Sequence, residues 1–206
     1  KYSSSGVQKG DLFLMGLDGS ELVEKSRIGI SDKAVHSFAC LGDLSDSSSV
    51  YAVSATNGLI EIIDRQSGSK IAESADKFGG SPFAIKLPSH TLSNPAMSTL
   101  PIRNVSFDLN NDGVDELVCV NNHNSFYNIL ASTKLYKQTH VEILSFDKNE
   151  GLVESIWKSG VYSGFISDIA TGDIDNNGKS NVIVIKLDKA DINMFKKAMT
   201  EIIVFE

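Results

Sequence analysis

A chain of 206 residues, 41% of them hydrophobic, is long enough to bury a substantial core as one domain or a pair. Its formal net charge of −7, with lysines and arginines scattered along the chain, argues against a nucleic-acid surface, because phosphate binding needs basic residues clustered on one face. No run approaches the roughly 18 apolar residues that a spanning helix requires, so no membrane-spanning segment is expected. The N-terminal KYSSSG carries neither an initiating Met nor a signal-peptide apolar region, and the chain reads as a piece whose beginning has been removed.

In chain order, the first predicted strand is Asp11 to Gly19, DLFLMGLDG, which ends in an acidic turn and is followed by a short strand in SELVEKS. Cys40 then lies in an apolar run, and an acidic loop, DLSDSSSVYAVS, opens at Asp43. Leu59 to Gly68, LIEIIDRQSG, repeats the form of the first strand and is followed by SKIAES. Gly79, Gly80, Ser81 and Pro82 read as a turn. FDLNNDGVDELVC then gathers Asp108, Asn110, Asp112 and Glu116 around Gly113 and runs straight into an apolar strand holding Cys119. Asn121 to Gln138 reads as a polar, irregular insertion with two aromatics, Phe126 and Tyr127. His140 to Gly151, HVEILSFDKNEG, is another strand with an acidic turn, and LVESIWKS follows it. A further acidic loop, DIDNNGKSNVIVI, opens at Asp173. From Ala190 to Glu201, Ile192, Phe195 and Met199 recur at helical spacing and predict a helix packed over an insertion, and Glu201 to Glu206, EIIVFE, is a strand.

Asp108 and Asp173 are 65 residues apart (173 − 108), and the same interval back from Asp108 lands on Asp43. The repeating unit is strand, acidic loop, strand, strand, turn, strand, with approximate repeats at 11–58, 59–140 and 141–206. Four strands in about 65 residues point to an all-β fold of about three four-stranded antiparallel β-propeller blades, since radial repetition leaves only short sheet edges. Propellers typically need four to eight blades, so 1–206 is expected to be a partial β-propeller, a fragment of a larger ring or an assembly partner.

The two better acidic loops have oxygen-bearing residues at alternate positions. The first places Asp108, Asn110 and Asp112 at positions 1, 3 and 5, Gly113 at 6, the Val114 carbonyl at 7 and Glu116 at 9. That pattern suits calcium, which takes six to eight oxygen ligands, and carboxylates crowded without a cation repel one another. The EF-hand is excluded, because position 12 is Cys119 in one loop and Val184 in the other and both flanks read as strands. The second loop has Asp173, Asp175 and Gly178 but Asn177 and Asn181 at positions 5 and 9, so weaker binding is expected there. The loop at Asp43, with serines in place of glycine and later ligands, is expected to hold no metal. The competing reading is that all three are turns closed by their own side-chain hydrogen bonds.

DLNNDGVDELVCV and DIDNNGKSNVIVI resemble the D-x-[DN]-x-[DN]-G-x-x-[DN]-L/I-V-V signature of FG-GAP and VCBS repeats, which build integrin-type β-propellers with calcium in a hairpin loop of a blade. The C-terminal half is also similar to FG-GAP repeat proteins of bacterial cell envelopes. The resemblance implies one Ca2+ site from Asp108, Asn110, Asp112, the Val114 carbonyl and Glu116, and another from Asp173, Asp175, Asn177, the Lys179 carbonyl and Asn181.

Catalytic patterns are missing from the sequence. His36, His90, His123 and His140 are dispersed without metal-ligand spacing, and G-x-S-x-G, Walker and dinucleotide motifs are absent. Cys40 and Cys119 could pair in an oxidising compartment, but each lies in a strand-like apolar run, where a buried free thiol is the commoner state. The expectation is therefore a non-catalytic, calcium-binding module, extracellular or in the cell envelope or periplasm, that presents loops to a protein or glycan. Two rivals stand beside it: the propeller portion of a polysaccharide-active enzyme, and a structural subunit of a larger extracellular assembly completed by strand addition between chains.

Overall fold

The structure, a computed structural model, describes residues 11–29, 35–42, 49–55, 57–81, 83–86, 97–110, 112–124, 136–188 and 199–206. It is all-β. Strands β1 (Asp11–Asp18) and β2 (Glu21–Gly29) form a hairpin closed at Gly19, whose φ of 62° suits a residue without a side chain. A short 3-10 turn, Val35–Ser37, leads into a four-stranded antiparallel sheet of β3 (Ala39–Leu41), β4 (Val50–Ser54), β5 (Leu59–Asp64) and β6 (Lys70–Lys77), paired in chain order. A small pair follows, β7 (Ala84–Lys86) with β8 (Met97–Thr99).

The next sheet repeats the four-stranded order with β9 (Val105–Phe107), β10 (Glu116–Asn124), β11 (Tyr136–Asp147) and β12 (Leu152–Lys158). A two-residue strand, β13 (Tyr162–Ser163), pairs with the start of β11. The last sheet has three strands, β14 (Phe165–Gly172), β15 (Asn181–Leu187) and β16 (Thr200–Phe205), again in chain order. Among the described residues the sheets form no closed barrel or ring. No helix among them is long and apolar enough to cross a membrane.

The expected order of strand, acidic loop, strand, strand, turn, strand is seen in the sheet spanning 105–158; the sheet spanning 39–77 has the same strand order, with its loop at Asp43 outside the described residues. The division at 58/59 falls between β4 and β5, which pair directly. One expectation read from composition gives way to pairing at its two ends. Asn121 to Asn124 extend β10 and Tyr136 to Gln138 begin β11, because the backbone there finds a ladder partner despite polar side chains. Phe126 and Tyr127 lie outside the described residues. Most of the helix expected from Ala190 also lies outside them, and at its end Thr200 and Glu201 are extended, paired with Leu187 and Lys186.

Alternation along the inner strands explains how the sheets stack. In β10, Leu117 and Cys119 face one way and Val118 and Val120 the other, and all four are buried. Leu117 and Cys119 join Ala52, Ile60 and Ile62 of the preceding sheet, while Val118 and Val120 join Ile166, Ile169, Val182 and Val184 of the following one. A strand covered on both faces reads as a continuous apolar run, ELVCV, and not as simple alternation. Each fully buried Ile, Leu or Val contributes about 1.5–3 kcal/mol, so these two interfaces hold the three larger sheets face to face. By contrast β6 and β12 are mostly exposed and carry charge, the composition that discourages edge pairing.

No disulfide joins Cys40 and Cys119. Ala39 and Leu41 turn toward Cys119 and its neighbours, so Cys40 between them turns to the other face, beside Tyr51 and Val53. Strand alternation keeps the two sulfurs on opposite sides of β3.

Candidate functional site

The acidic loops join the first and second strands of their sheets, β9 to β10 and β14 to β15. Both close through the same hydrogen bonds. Asp108 accepts from the Asp112 N–H at 3.1 Å and the Gly113 N–H at 2.8 Å; Asp173 accepts from the Asn177 N–H at 3.0 Å and the Gly178 N–H at 2.8 Å. Asn110 accepts from the Asp112 N–H and Asp175 from the Asn177 N–H. Asp112 Oδ1 accepts from the Val114 N–H and Asn177 Oδ1 from the Lys179 N–H, each at 2.8 Å. Position 9 reaches back in both: Glu116 accepts from the Leu109 N–H at 2.8 Å and Asn181 from the Ile174 N–H at 3.3 Å. Gly113 and Gly178 have φ of 86° and 84°, left-handed values that suit glycine at the sharp turn.

The structure therefore brings the ten predicted residues into two equivalent loops, with Val114 and Lys179 contributing backbone to the turn. It also realises the self-closing hydrogen bonds of the competing reading. Among the described residues no group of three His, Cys, Asp or Glu side chains is placed to hold a metal ion. The donor set does fit a hard cation in its chemistry. Each carboxylate oxygen has a second lone pair beyond its N–H partner, and the ligands offered are oxygen throughout. Glu116 is buried at 3% exposure, and that burial, with Asp112 and Asp108 nearby, pushes its carboxyl above the usual range against the pull of the Leu109 N–H. At position 9 of the second loop Asn181 is equally buried and uncharged. Asp173 is held low by the Gly178 N–H and further backbone donors. The loop at Asp43 lies outside the described residues.

Away from these loops, an open cavity of about 580 Å³ lies where three sheets converge. His36 and Phe38 come from the turn before β3, Arg103 from the segment before β9, and Asp168 from β14, with Phe83 beside them. Arg103 Nε donates to Asp168 Oδ1 at 2.7 Å. The wall is pinned by Asn104, whose Nδ2 donates to the Ser37 carbonyl at 2.8 Å and to Ser54 Oγ at 3.2 Å.

A third polar cluster lies between the first and second four-stranded sheets. His140 Nε2 donates to Glu142 Oε1 at 2.6 Å, which leaves its Nδ1 to accept from His123 Nε2 at 3.1 Å. Lys158 and Ser155 complete the shell of Glu142 at 2.9 and 2.8 Å. Burial pushes the His140 imidazole below its usual value. Burial works to raise Glu142, but hydrogen bonds from Lys158, His140 and Ser155 hold its carboxyl low.

No protein-family model matches the chain, and no curated protein matches its sequence. Sequence reading found the loops through their spacing but missed the cavity and the histidine pair. His123 and His140 share a face because Asn121 pairs with His140 in the β10–β11 ladder, making His123 its diagonal neighbour. The insertion between the two strands hid that register. Arg103 and Asp168 are isolated charges in sequence, and only sheet stacking brings them together.

Proposed function

We propose that the chain is a non-catalytic, calcium-binding β-propeller module of the FG-GAP/VCBS kind, part of a larger ring, holding a protein or glycan ligand at the cell envelope or outside the cell. The observation that carries this reading is the pair of loops at 108–116 and 173–181, in which backbone N–H groups are taken up by the same loop positions at a 65-residue interval. Two four-stranded sheets in chain order, stacked face to face and followed by a third sheet that starts the same way, support the propeller part. Asp108, Asn110, Asp112, Glu116 and the Val114 carbonyl would hold one ion; Asp173, Asp175, Asn177, Asn181 and the Lys179 carbonyl the other. Bound calcium supplies the positive charge that the buried Glu116 lacks, since among the described residues no basic side chain pairs with it.

Calorimetric titration of the chelator-treated chain with calcium tests the reading. Two sites are expected, the first tighter because it has three carboxylates against two. Absence of binding heat at millimolar calcium would remove the metal. The assembly-subunit reading is favoured by one feature, the apolar outer face of the last sheet, where Ile202 is 70% exposed beside Ile185. Light scattering decides it: a monomeric mass rules out self-assembly.

A further inference from the structure

We infer that the cavity between the sheets is a saccharide site, in which Arg103 and Asp168 grip neighbouring hydroxyls of a neutral sugar and Phe83 packs against the ring. The inference rests on the binding-module reading and names the ligand class for it. Arg103 uses Nε on Asp168, which fixes the guanidinium plane and leaves its terminal N–H groups for a ligand. Asp168 uses Oδ1 on Arg103 and on the Ile169 N–H, leaving Oδ2 as an acceptor. The two groups thus present donors and an acceptor side by side, the complement of a vicinal diol, whose hydroxyls donate and accept.

The backbone is shaped for this presentation. The β14–β15 register slips between Ile166 and Asp168, so Ile166 pairs with Lys186 and Asp168 with Ile185. Bulges of this kind re-aim a side chain and recur beside functional sites. Phe83, 49% exposed, and Phe38 supply flat apolar faces on the same cavity. Its volume of about 580 Å³ lies in the range of small-molecule pockets.

Charge selects among ligand classes. Arg103 and Asp168 neutralise one another, so an anion gains the guanidinium only against the carboxylate. A purely apolar ligand would bury their free N–H and oxygen groups without partners, which is costly. A neutral polyol with an apolar ring face satisfies both demands.

The test is an amide-shift titration of the isotopically labelled, calcium-loaded chain with neutral gluco-, manno- and galacto-oligosaccharides, each beside its uronic-acid counterpart. Shifts are expected at Phe38, Phe83, Arg103 and Asp168 with at least one neutral sugar. Arg103→Ala should weaken that binding about tenfold or more, as loss of a charged hydrogen bond does. Arg103→Lys, which keeps the charge but not the fork, should weaken it too, and the exposed Phe83→Leu gives a third reading in a variant that leaves the core intact. Binding only to uronic acids, shifts confined to other surfaces, shifts with an acidic peptide but no sugar, or no shift at all would each overturn the assignment. Calcium binding is read on the same sample, so failure of the sugar site is separable from failure of the module reading.

Discussion

Replacing Asn122 with alanine perturbs the junction between the second four-stranded sheet and the last sheet. Asn122 is buried in β10, and its Nδ2 donates to the Gly80 carbonyl at 2.7 Å and the Ile166 carbonyl at 2.9 Å, while its Oδ1 accepts from the Ile166 N–H at 3.0 Å. One side chain therefore satisfies backbone groups of β14 and of the segment after β6. Alanine removes all three bonds and leaves Ile166 and Gly80 without this partner. At about 1 kcal/mol for each bond, with more where a buried group stays unsatisfied, the loss is about 3 kcal/mol or greater. For a chain of this length that lowers the thermal midpoint by about 6–12 °C. Calorimetry measures the midpoint, and hydrogen exchange at the Ile166 amide measures the bond itself, which should exchange faster in the variant. A midpoint within about 2 °C of the parent, with Ile166 still slow to exchange, would refute the reasoning that this amide clasps the sheets.

Acid should weaken the fold through the buried His140. Burial depresses the His140 pKa in the fold, so the unfolded chain takes up its proton first, and stability falls as pH drops through the ordinary imidazole value of about 6.5. Glu142, also depressed, adds to the loss at lower pH as its carboxylate is protonated. Urea midpoints between about pH 5 and 7.5 should slope upward with pH, and His140→Gln should flatten that slope; an unchanged slope contradicts the assignment. The thiols give a third check. Burial pushes Cys119 far above the usual thiol range, so a thiol reagent should leave it unmodified in the folded chain and titrate both cysteines after unfolding. Recovery of fewer than two thiols from the unfolded chain would show a disulfide.

The loops and the strands around them were legible because their determinants are local. An Asp, a glycine five residues on and an apolar run fix a turn and the strand after it, and LIEIID carries its own period. What failed to show was set by pairing across distance. Asn121 to Asn124 look like loop in sequence, yet they lie in a strand because β11 stands alongside. The β7–β8 pair is too short for its pattern to stand out. Arg103 and Asp168 meet only because two sheets stack, and neither residue type at its own position signals the other.

The central claim, that the two loops hold calcium and steady the sheets they join, is tested most directly by melting the chain in excess calcium and again in chelator. At a hundredfold excess over the dissociation constant one site stabilises by about 2.7 kcal/mol, a rise of about 5–11 °C for a chain of this size, with the second site adding to it. The pair Asp108→Asn and Asp173→Asn should abolish that rise and also lower the chelator midpoint, because each Asp accepts backbone N–H bonds on both oxygens and Asn offers only one acceptor. Equal midpoints in calcium and chelator for the parent chain would contradict the account.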